Sequence, residues 1–111
     1  MRALFVGFGL AALIAFAPVD AGAQDATFTI TIKDHKFDQS ELKVPANKRI
    51  TLTVINDDST PEEFESKQLK VEKVIPGKSK GVVRFGPLAP GKYPFYGEYH
   101  EATAKGTVVA E

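Results

Sequence analysis

The sequence contains no cysteine, and its single methionine is the initiating Met1. Small exported domains often depend on disulfides, so a chain without cysteine must be held by its hydrophobic core alone, or by that core and a bound metal. An excess of either charge is also absent, because 14 basic residues balance 14 acidic ones. A neutral chain has no general attraction to nucleic acid or to an anionic membrane, and we expect neither as a partner.

The sequence has one long apolar run, at its N-terminus. Met1-Arg2 gives a positive start, residues 3–17 are all apolar or glycine, and Ala21-Gly22-Ala23 matches the small-residue cleavage site of a signal peptide. The run is shorter than the roughly 20 residues that cross a bilayer. We therefore predict a signal peptide over residues 1–23 and a single periplasmic domain over residues 24–111 that does not insert into the membrane.

After residue 23 the chain alternates apolar and polar residues over short stretches, which is typical of half-buried β-strands. Residues 27–33 and 49–56 alternate most regularly, and turn-forming Pro, Gly, Asn and Asp separate seven or eight such stretches. The pattern predicts an all-β domain, an antiparallel Greek-key β-sandwich, with Phe37 filling its core from a loop. The side chains expected to be largely buried are Phe28, Ile30, Ile50, Leu52, Val54, Phe64, Phe85 and Phe95.

The last third of the chain carries a group of ionisable residues in a short loop between two predicted strands. Glu98 and Glu101 flank His100 there. A histidine between two carboxylates, on a loop that strands hold in place, can bind a metal or transfer a proton. The alternative is that His100 is an ordinary solvated surface histidine.

Two earlier segments carry residues of the same types. His35 follows the first predicted strand; by itself it is a solvated loop residue, and a second histidine at the same end of the domain would make it a candidate ligand. Glu63 and Glu65 share one side of an extended segment; the alternative is an exposed acidic edge. Glu72 is either an acid behind a metal ligand or the partner of a lysine on a sheet face.

The order of these features resembles the cupredoxin family over the whole of the predicted mature domain. The segments that carry the resemblance are residues 37–45, 50–56 and 91–96. It implies a cupredoxin-like β-sandwich in which three loops meet at one end.

The blue copper ligands of that family are mostly missing here. His100 matches the histidine of the final loop, but Gly97 stands at the cysteine position and Ala104 or Lys105 at the methionine position. Pro61-Glu62-Glu63 stands where the other histidine would be. A blue copper centre needs the cysteine thiolate, so the resemblance implies the fold without electron transfer by that centre.

A narrower resemblance is to the cupredoxin-like periplasmic components of bacterial ferrous-iron uptake systems. It is carried by Glu63-Phe-Glu-Ser66, Val71-Glu-Lys-Val-Ile-Pro-Gly77, Gly86-Pro-Leu-Ala-Pro-Gly-Lys-Tyr93 and Gly97-Glu-Tyr-His100. The resemblance implies that the protein binds copper and/or iron and has an iron permease and other periplasmic iron-uptake components as partners.

Together these resemblances imply a metal site where the three loops meet. The expected ligands are His35, Glu63, Glu65, Glu98 and His100. Strict alignment to the blue copper histidine selects Glu62 instead of Glu63, but the iron-uptake resemblance is the closer one. Imidazole and carboxylate ligands suit Fe(II) and Cu(II) and match Cu(I) poorly.

Three functions are consistent with this sequence. The first is a metal-binding protein of iron uptake that uses copper to oxidise Fe(II) to Fe(III). The second is a carrier without catalysis, which hands iron or copper to a permease. The third is an immunoglobulin-like interaction module whose acidic edge contacts other proteins and needs no metal.

The signal-peptide prediction has a direct test. The intact mass of the periplasmic protein should correspond to a chain that begins within a residue or two of Gln24. A mass that still includes residues 3–17 would contradict it.

Overall fold

The structure, a computed structural model, describes residues 25–111. The predicted signal peptide, residues 1–23, lies outside the described residues. Among residues 25–111, no helix has the length and apolarity that a membrane crossing requires.

Within residues 25–111, nine strands form two sheets. The strands are β1 (Ala26–Lys33), β2 (Lys36–Phe37), β3 (Glu41–Val44), β4 (Ile50–Asn56), β5 (Glu62–Ser66), β6 (Val71–Ile75), β7 (Ser79–Phe85), β8 (Gly91–Gly97) and β9 (Lys105–Ala110). The first sheet has the order β2-β1-β4-β7, and the second has the order β3-β9-β8-β5-β6. A 3-10 turn, Glu98–His100, connects β8 to the segment before β9.

The predicted all-β sandwich is confirmed, although each sheet contains one parallel pair of strands. β1 pairs with β4 in parallel, and β3 pairs with β9 in parallel. The first of these pairs arises because the chain places β3 in the second sheet before it returns as β4, and parallel neighbours require such a crossover. The period of two in the sequence indicates which side chains face inward but carries no information about the direction of a neighbour.

The core lies between the sheets and contains the inward side chains of both. Seven of the eight residues that the sequence predicts as buried are buried. Phe28 is half-buried and packs against the edge of the core. Its exposure follows from the short β2, which pairs only with Ile32 and Lys33 and leaves the first half of β1 at an open edge.

Three phenylalanines pack together beneath the loops that carry the candidate ligands. The rings of Phe64 and Phe95 stack with centroids 5.1 Å apart, and Phe37 meets Phe95 edge-on at 5.0 Å. Phe37 therefore fills the core as predicted, although it does so from β2 and not from a loop. Gly106 permits this packing, because a Cβ there would lie only 2.4 Å from Cζ of Phe95. These contacts pack β2 of the first sheet against β5 and β8 of the second.

We expect Phe95→Ala to lower the free energy of unfolding by about 3–5 kcal/mol, because it leaves a cavity between two other rings. Urea denaturation measures the change. Val82→Ala, at a position that is 38% exposed, should cost less than about 1 kcal/mol. A loss of stability in Phe95→Ala no larger than that of the surface control would contradict the central position of this ring.

Candidate metal site

His35 lies in a two-residue turn between β1 and β2. Asp34 and His35 both have positive φ, 54° and 60°, as the type I′ hairpin turn requires. The carboxylate of Asp58 holds the turn, since Oδ1 accepts the N–H of Asp34 at 2.7 Å and Oδ2 accepts that of His35 at 2.9 Å. Burial raises the pKa of Asp58, but these two hydrogen bonds, together with the charges of His35 and His100, lower the pKa overall. The position of His35 is thus fixed through its backbone.

The loop that carries Asp58 is itself anchored in the core. Asn56, at the end of β4, is 1% exposed. Its side chain donates to the carbonyls of Thr60 and Ile75 and accepts the N–H of Asp58 at 3.0 Å. The asparagine therefore folds the loop back against β6, so that Asp58 reaches the turn at His35.

His100 ends the 3-10 turn and meets His35 directly. Their rings stack with centroids 3.5 Å apart and planes inclined by 13°. The hydroxyl of Thr103 also donates to the carbonyl of His35 at 2.6 Å, and this bond joins the loop between β8 and β9 to the turn between β1 and β2. The two histidines, distant in sequence, lie at the same end of the sandwich.

Glu62 is buried behind His100. Its Oε2 lies 2.6 Å from Nδ1 of His100, and its Oε1 accepts the N–H groups of Glu63 at 2.9 Å and Tyr99 at 2.8 Å. The side chain is 1% exposed, whereas that of His100 is 25% exposed. A buried carboxylate is stable only when it is hydrogen-bonded in this way. Glu62 is not among the ligands expected from the sequence; the signal for it there was the strict alignment with the blue copper histidine.

Gly97 provides the space that the Glu62 carboxylate occupies. A Cβ at position 97 would lie 2.6 Å from Cδ and 2.7 Å from Oε2 of Glu62, and 2.9 Å from Cβ of Ala104. No real side chain tolerates such distances without a shift of its neighbours. The glycine and the buried carboxylate are therefore structurally coupled.

Four carboxylates form a second group, which we call the acidic cluster: Glu63, Glu65, Glu72 and Glu98. Each contributes one oxygen to a set in which all atoms lie within 4.8 Å of one another. Glu63 and Glu65 come from β5, Glu72 lies opposite Glu65 on β6, and Glu98 begins the 3-10 turn. Oε1 of Glu65 is buried and has no hydrogen-bond partner among residues 25–111.

Two members of the acidic cluster, Glu63 and Glu98, hold protons more strongly than isolated carboxyls do. Hydrogen bonding to Glu65, and then repulsion by its charge, raise the pKa of Glu98 to about 7. Hydrogen bonding to Glu72, followed by desolvation and the neighbouring charges, raises that of Glu63. Burial and the charge of Glu65 also raise the pKa of Tyr96, which lies opposite Glu65 on β8. Negative charge is therefore concentrated on this face of the sheet.

Strand β5 divides the five expected ligands into two groups. Its alternation directs Glu62 towards the histidine pair, His35 and His100, and directs Glu63 and Glu65 to the other face of the sheet. Of the expected ligands, Glu63, Glu65 and Glu98 therefore lie together in the acidic cluster. The cluster also contains Glu72, for which the sequence favoured pairing with a lysine. The two groups remain close along the chain, because Glu62 precedes Glu63 directly and one 3-10 turn carries both Glu98 and His100.

Comparison with known proteins identifies the family. The model of the cupredoxin-like domain matches residues 5–110, and the chain therefore belongs to the cupredoxin-like domain family. A protein of Rickettsia prowazekii (strain Madrid E) that carries the name "Uncharacterized protein RP394" is 44% identical over 81 residues. These residues are 72% of this chain and 64% of that protein, so the chain spans less than two thirds of the relative's length.

Solved structures share the fold. Auracyanin A, a "blue" copper protein from Chloroflexus aurantiacus, gives a TM-score of 0.69 at 16% identity, over 79% of this chain and all of its own. Amicyanin from Paracoccus versutus gives a TM-score of 0.59 at 17% identity, over 84% of this chain and 85% of its own. The predicted cupredoxin-like fold is confirmed. At such identities the likeness defines the fold and leaves the chemistry of the site to be judged from its own residues.

A blue copper centre does not fit these residues. The chain has no cysteine to supply the thiolate. The space for a side chain at position 97 is filled by the carboxylate of Glu62. The donors that are present, imidazole nitrogens and carboxylate oxygens, fit Fe(II), Cu(II), Mn(II) or Zn(II).

The acidic cluster generates a pH-dependent stability. The pKa of Glu98 rises from its ordinary value of 4.5 to about 7 on folding, so the folded protein binds more protons between these values. The contribution of Glu98 to the free energy of unfolding therefore falls as the pH rises through this window. We expect the metal-free protein to have a higher Tm at pH 5.5 than at pH 7.5, and a smaller difference in Glu98→Gln.

The matched control is Glu101→Gln, which removes a neighbouring acid outside the cluster and should nearly keep the wild-type pH dependence. Thermal denaturation followed by circular dichroism measures all three proteins. Identical pH dependence in the wild type and Glu98→Gln would contradict the coupling of Glu98 to the cluster.

Proposed function

We propose that this chain is a periplasmic metal-binding protein of iron uptake, which binds iron and/or copper through the acidic cluster and the histidine pair. The observation that carries the proposal is the approach of four carboxylate oxygens to within 4.8 Å of one another. Like charges this close resist joint ionisation, as the raised pKa of Glu98 reflects. A bound cation removes that repulsion.

The unpaired oxygen of Glu65 supports a cation at the acidic cluster. A buried polar atom without a partner is costly, and Oε1 of Glu65 has none within the described residues. Carboxylate oxygens are hard donors, and the imidazoles of His35 and His100, on the other side of β5, are borderline ones. Donors of these two kinds suit Fe(II) and Cu(II).

The proposed place in iron uptake is supported by the sequence motifs that resemble periplasmic iron-uptake components. A protein with this site would deliver iron to a ferrous-iron permease or its partners.

Bound copper would supply one-electron redox chemistry. If the protein is an oxidase, each Fe(II) loses one electron and dioxygen is reduced to water with protons from solvent. If it is a carrier, iron binds and leaves in the same oxidation state.

Oxygen consumption distinguishes the two forms of this proposal. An oxidase consumes dioxygen in proportion to the Fe(II) added, and does so only when the protein is loaded with copper. A carrier binds Fe(II) tightly without raising oxygen consumption above that of Fe(II) in buffer.

Metal binding itself is tested by stability. A metal at 100 times its Kd should add about 2.7 kcal/mol to the free energy of unfolding. We expect Glu63→Ala and His100→Ala to lose most of the metal-induced rise in Tm while the metal-free protein stays folded. Binding should also weaken as the pH falls below about 7, because protons compete at Glu98.

The control for these variants is Glu41→Ala, which removes an exposed carboxylate from β3, at the opposite edge of the second sheet from β6. It should keep the full metal-induced rise in Tm. If Cu(II) and Fe(II) give no tight binding, or if Glu63→Ala and His100→Ala bind as well as the wild type, the proposal is wrong. The acidic cluster would then be better explained as a contact surface for another protein.

A further inference from the structure

The hydrogen bonds of Glu62 determine the protonation pattern of His100. An ionised carboxylate only accepts hydrogen bonds. Its Oε1 already accepts two backbone N–H groups, and its Oε2 lies 2.6 Å from Nδ1 of His100. Nδ1 is then the nitrogen that carries the proton and donates. In the neutral ring the other nitrogen, Nε2, then keeps its lone pair, which is the form in which imidazole binds a metal.

The same contacts fix the orientation of the ring. Glu62 is buried and belongs to β5, and Gly97 leaves the exact room that its carboxylate fills. The imidazole of His100 therefore has a rigid partner on one edge and a partly exposed opposite edge. Carboxylates that accept from the free N–H of a metal-binding histidine commonly orient it in this way.

His35 has no comparable restraint on its ring. Its backbone is held by Asp58, but the ring nitrogen Nε2 only approaches the hydroxyl of Thr60, at 3.4 Å. In the stacked arrangement the two rings are nearly parallel, and imidazole lone pairs lie in the plane of the ring. Parallel lone pairs cannot both reach one ion at the usual metal–nitrogen distance of about 2.0–2.1 Å. One ring must turn, and the less restrained ring is that of His35.

We propose that Glu62 is a positioning residue for metal binding: it presents Nε2 of His100 as the metal-binding atom, and His35 turns out of the stack to complete the pair. This role rests on the proposed metal-binding function. Glu62 touches no metal in this arrangement. Its part is to orient His100, which the carboxylates of the acidic cluster do not do.

The test is Glu62→Gln, which conserves the size of the side chain. The amide oxygen can still accept the two backbone N–H groups, which leaves the amide NH2 facing Nδ1 of His100. Because that group only donates, Nδ1 must become the acceptor and the proton must move to Nε2. Long-range 1H–15N NMR of the metal-free protein should find the His100 proton on Nδ1 in the wild type and on Nε2 in the variant.

Metal affinity should follow the tautomer. We expect Glu62→Gln to bind Cu(II) about 10–100-fold more weakly than the wild type. His35→Asn is the matched control, because asparagine tolerates the positive φ of this turn. It should weaken binding by removing one imidazole and leave the His100 proton on Nδ1.

The outcomes separate the role of Glu62 from metal binding itself. A wild-type proton on Nε2, or the same tautomer in wild type and Glu62→Gln, overturns the proposal, and the wild-type measurement stands even if the variant does not fold. A shifted tautomer with unchanged Cu(II) affinity also overturns it. If the wild type binds no metal at all, the proposed function fails together with this role, although the predicted tautomer would still be observed.

Discussion

The contact on which this end of the molecule depends is the hydrogen bond between the buried carboxylate of Glu62 and His100. It joins β5 to the loop that follows β8, two segments separated by 38 residues. The same carboxylate collects the N–H groups of Tyr99 and Glu63, so it also closes the 3-10 turn on which Glu98 lies. If this carboxylate were absent, the loop after β8 would lose its two hydrogen bonds to β5, and the Thr103 hydroxyl would be left to hold it beside His35.

A single strand separates two kinds of chemistry. Successive side chains of β5 point to opposite faces, so Glu62 is hydrogen-bonded in the interior while Glu63 and Glu65 meet other carboxylates outside it. One carboxylate acts through an imidazole, and the others interact with one another on the outer face of the sheet.

Sequence patterns predicted the strands and their inward faces well, because alternation depends only on local geometry. They did not predict the parallel pairings, which depend on where the chain crosses between sheets. The role of Glu72 depends on the register that sets it opposite Glu65, and register is not visible in either strand alone. Glu62 was missed for a different reason. A carboxylate in sequence carries no sign that it will be buried, and only the alignment with a blue copper ligand pointed to it.

The close fit between Gly97 and Glu62 restricts the order in which these positions can change. Any side chain at position 97 competes with the carboxylate of Glu62 for the same volume. A cysteine introduced there to rebuild a thiolate centre would be obstructed until Glu62 had first become smaller. Replacing Glu62 first would instead leave the N–H groups of Tyr99 and Glu63 without their acceptor. The two positions therefore form an epistatic pair, and a route between this scaffold and a copper-thiolate cupredoxin passes through a less stable intermediate unless both change together.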